Sequence, residues 1–214
     1  MLDIINVGVF ITSVVLLSIT PGPDMAYVIG QSVANGRRAG ILSATGVAIG
    51  SCTHAVASAV GLTALITASP LMFSVIKYVG AGYLMYLGGR MIWDTFQDKN
   101  AGCEVKPAVK TTSAPLNLLF KGFITTITNP KVLLFFISFF PQFVSPDGAH
   151  HTASFLLLGL IYALIAFATD LSCALLAGST AGAVSQNKTL QKTLDRIVGG
   201  TFIALGVRLA LARR

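Results

Sequence analysis

The sequence predicts an all-α, polytopic membrane protein: six transmembrane helices in a 3+3 inverted repeat, with helices 1 and 4 broken by proline. Three observations predict it. Of 214 residues, 54% are hydrophobic and 11% charged, with a mean hydropathy of +0.76; soluble domains carry about 25% charged residues. The apolar residues gather into six stretches of bilayer-crossing length, about 20 residues each. Motifs in the first three stretches recur, in order, in the last three.

The stretches are 4–29, 41–67, 70–96, 116–144, 153–184 and 194–211. The first reads as a retained span, because Met1-Leu2-Asp3 supplies no basic leader and no small-x-small cleavage site precedes a polar domain. The second carries Gly46-x-x-x-Gly50 and the third Gly80, Gly82, Gly88 and Gly89. Glycines in lipid let helix backbones approach closely, which is their first explanation here; gating is the second. Such faces also allow a homodimer. The polar stretch 97–115 has no apolar periodicity and separates a first three-helix repeat, 1–96, from a second, 116–214.

Charge places the loops. The net charge is +7, yet no Lys/Arg run alternates with aromatics as a nucleic-acid groove requires, so no nucleic-acid partner is expected. Arg37 and Arg38 follow span 1; Lys99, Lys106 and Lys110 follow span 3; Lys188, Lys192 and Arg196 follow span 5. The segments 68–70 and 145–152 have neither Lys nor Arg. The basic loops therefore share one face, cytoplasmic by the positive-inside rule. Linker 97–115 is then cytoplasmic and both termini periplasmic, although Arg208, Arg213 and Arg214 run against that rule.

An odd number of spans per half inverts the second half relative to the first, a plan common among secondary transporters. Each half opens with a proline-broken span: Thr20-Pro21-Gly22-Pro23-Asp24 and Thr128-Asn129-Pro130-Lys131. Each closes on Leu-Gly-x-Arg, at 87–90 and 205–208, and the middle spans carry Thr53-His54 and Thr169-Asp170. Proline removes an N–H and frees a backbone carbonyl. In lipid, such a break persists only where it is buried or lines a cavity. Asp24 can cap a new helical start, whose positive end would face a carboxylate. Asn129 can offer amide contacts at the matching break. The competing reading is a simple kink.

Four ionisable residues fall inside spans: Asp24, His54, Lys131 and Asp170. Charge there is costly and marks a functional candidate. Pro21, Gly22, Pro23, Asp24, Asn129, Pro130 and Lys131 form the expected substrate site. Asp24 or Asp170 suits an ammonium and Lys131 a carboxylate, which together describe an amino acid. Asp170 and His54 can take up and release protons and form the expected proton relay. Structural alternatives stand beside these: Lys131 neutralising Asp24 or reaching the interface, His54 bonding a neighbouring helix, Asp170 as a structural acid.

Enzyme chemistry is poorly served, with no H-E-x-x-H, G-x-S-x-G or Walker loop. No cofactor and no metal is expected. The three cysteines (Cys52, Cys103, Cys173) show no C-x-x-C spacing, and His150-His151 beside Asp147 reads as a solvated loop.

The run Ser18-Ile19-Thr20-Pro21-Gly22-Pro23-Asp24 resembles the first-span signature of the LysE/RhtB family of bacterial amino-acid exporters. Gly36-Arg37-Arg38-Ala39-Gly40, the 79–88 segment VGAGYLMYLG, and Thr128-Asn129-Pro130-Lys131 leading to Phe139-Phe140-Pro141-Gln142-Phe143 resemble it too. The likeness covers all six spans and matches poorly over 97–115. It implies a multi-pass protein of the bacterial inner membrane that exports neutral amino acids (homoserine, threonine, leucine and similar), driven by an ion gradient. Position 24 is Asp where many members carry Asn. The other function class is a channel-like or non-transporting membrane subunit; saturable, proton-dependent flux separates the two.

Overall fold

Helix breakers set the element boundaries in the computed structural model, which describes residues 3–68, 70–97, 114–145, 148–177 and 188–211. Pro21 ends α1 (Val7–Ile19), and Pro23, at a position where a missing N–H costs nothing, starts α2 (Pro23–Asn35). The two helices are bent by 49°. Gly36, at φ +87°, ends α2 in a region that favours glycine. α3 (Arg37–Ala68) follows at once, and α4 runs Pro70–Phe96.

The second half repeats this order. α5 (Pro115–Ile127) breaks at Pro130 into α6 (Pro130–Phe139), which a 3-10 turn extends over Phe140–Phe143; this pair is bent by 51°. α7 (His151–Leu176) and α8 (Lys188–Leu211) complete the chain. The described residues are helical, with one isolated β-bridge between Ile4 and Val144. By length and apolarity α3 and α7 can each cross a membrane, and each bent pair adds one candidate, up to four among the described residues. Of the expected linker 97–115 and the end of the stretch 153–184, residues 98–113 and 178–184 lie outside the described residues. The first apolar stretch overran its predicted end, because α2 continues through the polar Gln31–Asn35 turn until Gly36 stops it.

Glycine decides how closely the helices meet. A Cβ on Gly46 would overlap the Leu119 carbonyl of α5, and one on Gly50 would lie 2.8 Å from the Thr126 Cβ. Gly122 returns the contact against the Ser43 carbonyl of α3. In the same way Gly88 of α4 abuts the Gly199 carbonyl of α8, and Gly206 abuts that of Ala81. These glycines are occupied within the chain, whereas Gly82 and Gly89 meet nothing within 4 Å.

α6 forms the centre. Its sequence repeats Phe at helical i,i+4 spacing, so rings align along one side. Phe135–Phe139, Phe136–Phe140 and Phe139–Phe143 centroids lie 4.5, 4.2 and 4.6 Å apart. Phe10, Phe155, Tyr162 and Phe202 close around them. Apolar side chains such as Val60, Leu164, Tyr78 and Trp93 point outward and are exposed, as a lipid-facing surface requires.

Hydrogen bonds define two ends. At one, the Ser32 hydroxyl donates to the Ala174 carbonyl, and Arg196 Nε donates to Thr95 Oγ1 at 2.9 Å. At the other, Ser145 N–H donates to the Asp3 carbonyl at 2.8 Å, and the Asp3 carboxylate accepts from His150 N–H. The basic Arg37 and Arg38 open α3 directly after Asn35 and Gly36, at the first end.

Candidate functional site

At the first break, Pro21 cannot donate to the carbonyl four residues back, that of Leu17. Lys131 Nζ donates there instead at 3.0 Å, and to the Thr20 carbonyl at 3.0 Å. Lys131 passes beside Gly22, where a Cβ would make only an ordinary contact with Nζ at 3.5 Å. α2 begins with no side-chain cap and with Asp24 in its first turn, where a negative charge complements the helix dipole.

The second break is built alike. Pro130 removes the donor for the Thr126 carbonyl, which accepts from Asn129 N–H at 3.0 Å and from His54 Nε2 at 3.1 Å. Asn129 Oδ1 caps α6 by accepting from Lys131 N–H at 3.0 Å. His54 is buried, its ring stacked 5.7 Å from that of Phe136. Each half thus supplies the basic side chain that satisfies the other half's break.

Between the breaks lies a cavity of about 40 Å³; one water needs about 10–15 Å³ by this measure, so it holds about three. Asp24, Asn129, Lys131, Tyr162 and Asp170 form its polar wall. Leu17, Met25, Val47, Val132 and Ala166 form the apolar one. Asp24 is in electrostatic reach of Lys131 and His54, with Asn129 and Thr126 beside it. Asp170, buried on α7, is coupled to Asp24 and Lys131. Two carboxylates facing one ammonium leave the ionised wall one negative charge in excess, so it attracts a cation or a proton. Among the described residues, Asp24 Oδ1, Ser18 Oγ, Ser43 Oγ and Thr126 Oγ1 are buried without a hydrogen-bond partner. Buried polar groups of this kind are uncommon, and two of the four, on Asp24 and Ser18, belong to residues that line this cavity.

Of the residues singled out from sequence, Gly22, Asp24, Asn129, Lys131 and Asp170 line the cavity. Pro21, Pro23 and Pro130 shape it by breaking helices. His54 sits one layer behind, at Thr126. Tyr162 and Ser51 were missed. Tyr162, Ala166 and Asp170 follow at i, i+4, i+8 along α7, so one face projected from Asp170 finds the tyrosine; Val47 and Ser51 share a face of α3 likewise. His151 Nε2 donates to the Ser145 carbonyl at 2.9 Å. No cluster of three metal-ligating side chains occurs among the described residues.

A family model described as LysE type translocator matches residues 15–213. Similar curated proteins include the leucine efflux protein of Salmonella typhimurium (strain LT2), 31% identical over 209 residues, covering 97% of this chain and 95% of the relative. The leucine efflux protein of Enterobacter sp. (strain 638) is 30% identical over 208 residues, 97% and 96% of the two chains. That of Klebsiella pneumoniae subsp. pneumoniae is 31% identical over 210 residues, 97% and 95% of the two. No solved structure gives a significant match.

Proposed function

The chain belongs to the LysE type translocator family, and from that premise we propose that it is a secondary transporter exporting neutral amino acids of the leucine, threonine and homoserine class across the bacterial inner membrane. The observation that carries this reading is the convergence of two broken helices and Asp170 on one cavity. The substrate ammonium pairs with Asp24, whose Oδ1 has no hydrogen-bond partner. The carboxylate meets the Lys131 charge and the uncapped start of α2. Leu17, Met25, Val47, Val132 and Ala166 receive an aliphatic side chain. That apolar wall favours the neutral class, in keeping with relatives named leucine efflux protein.

The cycle follows from size. The cavity has room for about three waters, and in alternating access the half-helices part toward one side to admit substrate and toward the other to release it. Excess negative charge in the wall couples this to protons. Asp170 exchanges one with the cavity, and His54 passes it on at Nδ1, since Nε2–H is held by the Thr126 carbonyl. α4 and α8, 27 and 24 residues long, complete six spans, each reaching more than the ~30 Å hydrocarbon core at about 1.5 Å per residue. Repeats 1–96 and 116–214 then face opposite ways, with linker 97–115 cytoplasmic and the termini periplasmic.

Efflux from proteoliposomes tests the proposal. Vesicles loaded with mixed amino acids release a few neutral species in proportion to an imposed proton gradient, and reversing the gradient reverses the effect. Gradient-independent release would remove the relay. No release from folded protein would remove the exporter reading.

A further inference from the structure

The hydrogen bonds at the two breaks show a crossed pattern that the transport reading does not require. Pro21 deprives the Leu17 carbonyl of its helical donor, and Lys131, from the second half, supplies one. Pro130 removes the i+4 donor of the Thr126 carbonyl, which keeps a shorter-range bond from Asn129 N–H at 3.0 Å and takes a second from His54, in the first half, at 3.1 Å. Asp24 lies in electrostatic reach of Lys131 and His54, in the first turn of α2, just past the break at which Lys131 bonds the Leu17 and Thr20 carbonyls. A group that pairs with Asp24 therefore acts on both donors at once.

We propose that His54 and Lys131 are positioning residues, each donating from one half of the chain to the carbonyl whose i+4 helical donor proline removes in the other, so that loss of either bond loosens both breaks. The proposal deepens the transport reading by stating how the two broken helices move as a pair. It separates two roles of the histidine. Nε2 holds the backbone of the opposite half, whatever Nδ1 does with protons. Glutamine can replace the first role and not the second.

The reporter is a single cysteine at Gly22, where the backbone is extended (φ −156°) and a Cβ would only touch Lys131 Nζ at 3.5 Å. Cys52, Cys103 and Cys173 are replaced by serine or alanine. A membrane-permeant maleimide then measures access to the first break. Lys131→Met removes the local cap and raises the labelling rate roughly tenfold, the effect of about 1.4 kcal/mol of lost closure. The decisive variant is His54→Leu, on the other break. It raises labelling at position 22 by a similar factor, and His54→Gln restores the slow rate. Pro130→Ala returns an N–H to the Thr126 carbonyl, and in that background His54→Leu no longer raises labelling. Unchanged labelling in His54→Leu would overturn the proposal, as would equal labelling of the Gln and Leu variants. Should His54→Leu not be recovered folded, recovery in the Pro130→Ala background supports the cap and failure there overturns it. Leucine efflux by the unmodified protein is measured alongside. Its absence bears on the transporter reading and leaves the labelling comparison intact.

Discussion

Gly46→Ala is the smallest change that tests how the helices meet. The added methyl would overlap the Leu119 carbonyl, a backbone atom that cannot rotate aside. α3 and α5 must separate locally. Overpacking costs about 1–3 kcal/mol, and a backbone contact belongs at the upper end, about 2–3 kcal/mol. Against this, alanine gains up to about 1 kcal/mol of helix propensity over glycine. The net loss is about 1–2 kcal/mol. At roughly 2–4 °C per kcal/mol for a chain of this length, the melting temperature falls by about 2–8 °C. Gly61→Ala is the matched control on the same helix, because a Cβ there meets nothing within 4 Å. It keeps the propensity gain and leaves stability unchanged or slightly raised. The assay is fluorescence-detected size exclusion of both variants in detergent after heating through a temperature series. Equal melting of the two variants, or greater loss in Gly61→Ala, would refute the close-contact argument.

Asp24→Asn removes the carboxylate proposed to pair with substrate and raises the KM for leucine about tenfold or more, with folding retained; the concentration dependence of counterflow measures it. Asp170→Asn abolishes the response to a proton gradient while leucine–leucine exchange continues, read as labelled efflux with and without the gradient. Asp3→Ala releases the start of α7, where the Asp3 carboxylate accepts from His150 N–H. It costs about 1 kcal/mol, seen as faster protease nicking within 145–152 in right-side-out vesicles.

Much of the fold was legible because proline and glycine act locally. Pro21, Pro23 and Pro130 place the breaks from the sequence alone, and both appear within a residue of where they were expected. Gly46 and Gly50 announced a close helix contact but not its partner, since nothing in a small-residue pattern distinguishes α5 from any other helix. The site was half legible. Asp24, Lys131 and Asp170 stood out because charge is rare in apolar stretches. Tyr162 did not, because a tyrosine in an apolar helix looks like any core aromatic until its neighbours are known. Lys131 showed the limit in another way. Its charge was visible, but its bonds to Leu17 and Thr20, 114 and 111 residues away in sequence, depend on the distance between the two breaks. The same holds for the His54 bond to Thr126.

The phenylalanine ladder of α6 has a mechanical meaning. Ring contacts from Phe135 to Phe143, stacked for the first two pairs and tilted for the last, stiffen the segment from Pro130 to Phe143, a rod of about 20 Å at 1.5 Å per residue. One end pivots at Asn129 beside the cavity. The other ends at Phe143, whose carbonyl accepts from Ile5 N–H at 2.9 Å and so tethers the N-terminal segment. A tilt of roughly 5° at the pivot displaces the far end by about 1.7 Å, enough to part that tether. In the transport cycle proposed above, such a rod would carry an ångström-scale movement at the cavity to the contact between Phe143 and Ile5, each ring being one link in the lever arm.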